Sequence, residues 1–123
     1  MEKDELTGQI LGWAYRVHTV LGPGLLESVY EAALAHELRK NGFLVATQVD
    51  MPAMYDGIRL DLAFRADMVV DGKVILELKS VEALSPMHSK QLRNYLRLSG
   101  LKTGLLINFN VLHLKDQIVR VVN

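Results

Sequence analysis

The amino-acid sequence predicts an α/β fold with the element order ααβββαββ. Three observations predict it. Apolar residues recur at helical spacing as far as Lys40, strict alternation sets in after Phe43, and a strand–helix–strand unit runs from Val74 to Ile107.

Leu6, Ile10, Trp13, Ala14, Val17 and Leu21 form one helical stripe, and Gly22-Pro23-Gly24 ends that helix. A second helix is expected from Leu26 to Lys40 with Val29, Ala33 and Leu34 inward, and Asn41-Gly42 supplies its left-handed cap. From Leu60 to Val70 every even position is apolar (Leu60, Leu62, Phe64, Ala66, Met68, Val70), while Arg59, Asp61, Arg65 and Asp67 stand between them. Lys73 to Lys79 alternates likewise. Asp56-Gly57 and Asp71-Gly72 fall where hairpin turns are needed, so three antiparallel strands form a meander. Ser85 reads as an N-cap with Pro86 at the first helical position, opening a helix from Met87 to Leu98 that Ser99-Gly100 stops. Leu105-Leu106-Ile107 is a strand buried on both faces. A last hairpin is expected to pair Val111 to Leu114 with Ile118 to Val122.

The chain is long enough for one domain, residues 1–123, and its 50% apolar and 23% charged content is ordinary for a globular protein in water. The absence of cysteine excludes disulfides, thiolate metal sites and a cysteine nucleophile. The polar N-terminus is no secretory signal and no apolar run could span a membrane, so the expected location is cytoplasmic. Net charge is zero, yet no acid occurs from Ala83 to Lys115, a stretch that holds Lys90, Arg93, Arg97, Lys102 and Lys115. Such a distribution suits either a solvated helix face or a patch that meets phosphates.

The turn at Asp71-Gly72 decides which side of the sheet each charge occupies. A two-residue loop would put Asp67 and Glu77 on opposite faces. A three-residue loop, Val70-Asp71-Gly72 with Gly72 left-handed in a bulge, would pair Val69 with Lys73 and Asp67 with Ile75. That register gathers Ala66, Met68, Val70, Val74, Leu76 and Leu78 on one apolar face and Asp67, Glu77 and Lys79 on the other. A one-residue slip would bury unpaired charge at a cost of several kcal/mol, so the bulged register is expected. Asp67 and Glu77 would then be diagonal neighbours roughly 7–8 Å apart at the backbone.

Two carboxylates brought to about 4 Å repel by up to about 4 kcal/mol at an effective dielectric near 20. A lysine offsets part of this and a divalent cation more. With oxygen donors alone the cation expected is Mg²⁺ or Mn²⁺. On pattern alone, a strand ending Glu77-Leu78-Lys79 also fits a plain solvated face.

Three motifs occur together. Gly24-Leu-Leu-Glu27-Ser-Val-Tyr30 matches GxxExxY, Asp67 with Glu77-Leu78-Lys79 matches D…ExK, and Gln91 with Tyr95 forms QxxxY on the following helix. In this combination the chain resembles the GxxExxY family, a small branch of the PD-(D/E)XK nuclease superfamily, from His18 to Val122. The resemblance implies a restriction-endonuclease-like core, a mixed sheet flanked by helices. It implies Asp67, Glu77 and the backbone carbonyl of Leu78 as metal ligands, with Glu27 completing the shell or orienting a metal-bound water. Lys79 would position the attacking water or stabilise the transition state, and Gln91 and Tyr95 would line the site.

Alternative roles stand beside these. Glu27 also suits a helix N-terminus, and Tyr30 also suits packing. Lys90, Arg93 and Arg97 are expected roughly opposite Gln91 and Tyr95, where they would meet nucleic-acid phosphates away from the metal or stay solvated. His18, His88 and His113 are expected to be structural. The leading expectation is a metal-dependent nuclease acting on nucleic acid, with DNA ahead of RNA. The alternative is a catalytically silent nuclease-fold module that binds nucleic acid or a protein partner, with a homodimer enlarging its small footprint. A bare oligomerisation module has only the apolar C-terminal hairpin in its favour.

Overall fold

The computed structural model describes residues 3–123, and the side chains of residues 3, 4, 62 and 63 lie outside that description, Leu62 of the alternating strand among them. Helix α1 (Lys3–Leu21) buries Leu6, Ile10, Ala14 and Val17, with Trp13 and Leu21 at the margin of the same core. Helix α2 (Glu27–Lys40) is rotated from the expected phase. It buries Tyr30, Leu34, Ala35 and Leu38, whereas Val29 is 39% exposed and Ala33 half-buried. The Tyr30 ring decides this rotation: it stacks on Phe109 with centroids 4.6 Å apart, and an aromatic ring hides more apolar area than valine can.

Strands β1 (Val45–Tyr55), β2 (Ile58–Val70) and β3 (Val74–Lys79) form the antiparallel meander. Helix α3 (Pro86–Ser99) then crosses to β4 (Thr103–Asn108), parallel to β3, and β5 (Ile118–Val122) runs antiparallel to β4. Among the described residues the mixed sheet has five strands in the order β1-β2-β3-β4-β5. The last hairpin differs from expectation. Residues 111–113 are irregular, Leu114–Gln117 is a 3₁₀ turn, and β5 pairs with β4 from Thr103↔Val122 to Ile107↔Ile118. The segment is drawn inward instead: Leu114 is buried, and the His18 Nε2 lies 2.7 Å from the Val111 carbonyl.

Each face of the sheet carries its own core. Toward α1 and α2 lie Met68, Val70, Val74, Leu76 and Leu78, and toward α3 lie Phe64, Ala66, Val69, Ile75 and Leu106 with Leu92 and Leu96. Ala66 therefore does not share a face with Met68, contrary to the alternating pattern. Along β1, Val45 packs with the first core and Val49 and Met51 with the second. Both strands change sides between the pairs Thr47↔Met68 and Val49↔Ala66, where Gln48 has a left-handed φ of 51° and stands across from Asp67. The side chain at 67 thus leaves the sheet at its one break in alternation between Val45 and Phe64.

Candidate metal centre

The β2–β3 turn is displaced by one residue from its expected place. Asp71 and Gly72 both take positive φ (53° and 64°), Lys73 N–H donates to the Val70 carbonyl at 3.0 Å, and pairing begins at Val70↔Val74. The loop is therefore residues 71–73, not 70–72. The pairs Val69↔Ile75 and Met68↔Leu76 follow, and one more step sets Asp67 directly across from Glu77 rather than diagonal to it. The offset is two residues, so the sides are unchanged: a sheet's alternation has period two. The Asp71 side chain steadies the turn by accepting from Leu44 N–H at 2.9 Å.

Beyond Met68↔Leu76 the backbone ladder gives way to a side chain. Leu78 N–H donates to Asp67 Oδ2 at 2.8 Å, which locks the aspartate against the end of β3. Glu77 is only 7% exposed, and its Oε1 has no hydrogen-bond partner. Burial pushes its carboxyl up to about 9, helped by a hydrogen bond to the Asp67 carboxylate and by that group's charge. Lys79, half-buried at the strand's end, and the Asp67 backbone pull the other way and do not prevail. At neutral pH the bare site thus holds a protonated Glu77 against Asp67.

Helix α2 contributes a carboxylate that sequence reasoning missed. Glu31 is half-buried, its Oε1 accepts from Gln48 Nε2 at 2.7 Å, and burial together with the Asp67 charge raises its carboxyl despite the Gln48 bond. Glu27 stands exposed one turn earlier on the same helix. The i,i+4 spacing of these two acids was the available signal. The segment before Glu27 is tied to the site's edge, because Ser80 Oγ donates to the Leu25 carbonyl at 2.6 Å, next to Lys79 in sequence. Tyr30 tightens the same loop: its hydroxyl donates to the Gly22 carbonyl at 2.6 Å and accepts from Leu25 N–H at 3.2 Å. In this motif, then, the tyrosine packs.

From α3, Tyr95 bonds to Gln91, and its phenol is pushed up by burial and then by the charges of Glu77 and Asp67. The ring stacks on Phe64 with centroids 4.0 Å apart. Lys90 lines the groove that holds Gln91 and Tyr95, so it does not lie opposite them as expected, because a helical turn of 100° per residue leaves it next to Asn94. Arg93 and Arg97 are exposed, and Arg97 donates to Asn94 Oδ1 at 3.1 Å. His88 completes a capping box with Ser85, and His113 is exposed at the start of the 3₁₀ turn.

The donors suit a hard divalent cation. A buried carboxyl that is hydrogen-bonded to a second carboxylate and leaves its Oε1 unpartnered is an arrangement that a cation relieves, since it lets both acids ionise. Among the described residues no three His, Asp or Glu side chains already stand close enough to hold an ion. A cation here would draw its remaining ligands from water, from Leu78 or from a moved α2 carboxylate.

No helix among the described residues is long and apolar enough to cross a membrane. A family model for the PD-(D/E)XK nuclease superfamily matches residues 4–121. The crystal structure of SSO0001 is similar in fold, with a TM-score of 0.52 at 24% sequence identity, covering 77% of this chain and 48% of that one. The chain therefore spans about half the length of that relative. No curated protein matches the sequence. With a match over nearly its whole length, and a mixed sheet flanked by helices in the restriction-endonuclease manner, the chain belongs to the PD-(D/E)XK nuclease superfamily.

Proposed function

We propose that this chain is a divalent-metal-dependent nuclease of the GxxExxY branch that hydrolyses phosphodiester bonds, with DNA as the substrate ahead of RNA. A cytoplasmic location and one domain over residues 1–123 are part of the same reading. The observation that carries it is Glu77 Oε1, buried without a partner beside Asp67. A buried acid with an unpartnered oxygen costs stability, and nucleases of this superfamily generally use divalent metals, which would give the acid its purpose.

Asp67 and Glu77 would hold Mg²⁺ or Mn²⁺ with the Leu78 carbonyl, and Glu31 or Glu27 would reach in from α2. When bound, such a cation supplies Lewis acidity to a phosphoryl oxygen and makes a neighbouring water more acidic. Lys79 stands at the end of the same strand, where its ammonium stabilises the negative charge that gathers on the phosphoryl group. Asp67 keeps its orientation through Leu78 N–H. Gln91 and Tyr95 close the α3 side and hold the strand to be cut.

The silent binding module remains the second reading, favoured by zero net charge and by the lack of a preformed three-ligand cluster among the described residues. A second copy or a protein partner would then supply the missing footprint. Calorimetry with Mg²⁺ and Mn²⁺, run beside cleavage of labelled single- and double-stranded DNA and RNA, separates the two. Wild type should bind metal and cut. Glu77→Ala should lose metal affinity, and Lys79→Ala should keep it while losing cleavage. Metal binding without cleavage of any substrate would favour the module, and full activity in Lys79→Ala would remove that residue from the chemistry.

A further inference from the structure

A groove of about 530 Å³ runs along α3. The stacked rings of Phe64 and Tyr95 line it, 4.0 Å between centroids and 8° from parallel. The amides of Gln91 and Asn94 and the ammonium of Lys90 border it. Tyr95 joins the groove to the carboxylates, since its phenol responds to the charges of both Glu77 and Asp67. Nothing on the helical wall repels phosphate, for Pro86–Ser99 contains no acidic residue.

We propose that this groove is a nucleotide subsite for single-stranded nucleic acid, in which a base packs on the Phe64–Tyr95 pair and Lys90 meets the adjoining phosphate. The amides of Gln91 and Asn94 donate and accept at the edge of that base. An aromatic surface bordered by amides and one cation is what unpaired bases use, because every base has a π face and an unpaired one also offers its hydrogen-bonding edge. In a duplex that edge is occupied and the base is held in its own stack. The volume agrees, being that of a small-ligand pocket rather than of a channel for two strands. The inference rests on the nuclease reading for its choice of polymer.

Fluorescence anisotropy of a labelled short oligo(dT), and of the same strand in a dT·dA duplex, tests the subsite with EDTA present throughout. Binding then needs neither metal nor cleavage. The single strand should bind at least about tenfold tighter than the duplex. Asn94→Leu, which fills the groove from its rim, should weaken that binding about tenfold. Tyr95→Leu should do the same, and Tyr95→Phe, which keeps the ring, should restore it. Lys90→Ala should flatten the plot of log affinity against log salt by about 0.7, the share of one phosphate on a single strand. Equal affinity for the duplex, or unchanged binding in Asn94→Leu with its melting temperature intact, would overturn the subsite. Oligonucleotide binding that survives while every cleavage assay fails would instead strike at the nuclease reading alone.

Discussion

Strand β3 sends Leu76 and Leu78 to the α1/α2 side of the sheet, and Ile75 to the α3 side with Glu77 next in line. The first set enters a core of aliphatic and aromatic side chains joined by the Tyr30–Phe109 stack. The second runs from core into a buried acid within two residues. Alternation along a strand gives each face its own rule, so one short segment carries both core residues and a buried acid. On one side every residue adds to stability. On the other, a carboxyl without a partner at Oε1 is retained against it.

The apolar side of β3 is probed at Leu76. Leu76→Ala should cost about 2–5 kcal/mol of unfolding free energy by urea titration, the usual range for a fully buried leucine, and should leave the acids in place. A loss well under 1 kcal/mol would mean that this face is less tightly built than its burial indicates. Tyr30→Phe probes the same side more gently. It removes a hydroxyl that holds Gly22 and Leu25, and should cost about 1–3 kcal/mol while keeping the stack on Phe109.

The change with a distinctive pH dependence belongs to Glu77. Its carboxyl keeps a proton up to about pH 9 in the folded chain, whereas the unfolded chain releases it near pH 4.5. Between those values the folded state binds more protons. Without divalent metal, wild type should therefore lose stability steadily as pH rises from about 4.5 to about 9. Glu77→Gln should remove that slope and equal or exceed wild type at pH 8, as thermal melts across the pH range would show. Cation binding inverts the preference by ionising the acid, so Mg²⁺ should release close to one proton per ion at pH 7 and bind more tightly as pH rises. Calorimetry in buffers of different ionisation enthalpy counts that proton, and Glu77→Gln should release none.

Much of the fold was legible because it rests on patterns with strong periods. The α1 stripe, the two Asp-Gly turns and the Ser85-Pro86 helix start each followed from local chemistry. The common side of Asp67 and Glu77 was legible too, but their exact pairing was not. Burial fixes a strand's register only to within a step of two, and the true register is two residues from the expected one. The change of faces at Gln48 left no trace, since a glutamine at φ 51° is not announced by its residue type. Ala66 was assigned to the wrong core for that reason. Val111 to Leu114 was expected to pair with β5 but lost it to β4, whose residues are buried throughout. Glu31 was overlooked because a motif pointed to Glu27, although only the tertiary fold shows which of the two the Asp67 charge reaches.

We propose above all that Asp67 and Glu77 form a single cation-binding pair. Anomalous diffraction at the manganese edge from crystals grown with Mn²⁺ tests it most directly. A peak bridging the two carboxylates, with Glu77 Oε1 among the ligands and the peak absent in Glu77→Gln, is the predicted result. Fully occupied manganese elsewhere, with the Glu77 carboxyl still hydrogen-bonded to Asp67 and no density between them, would contradict it.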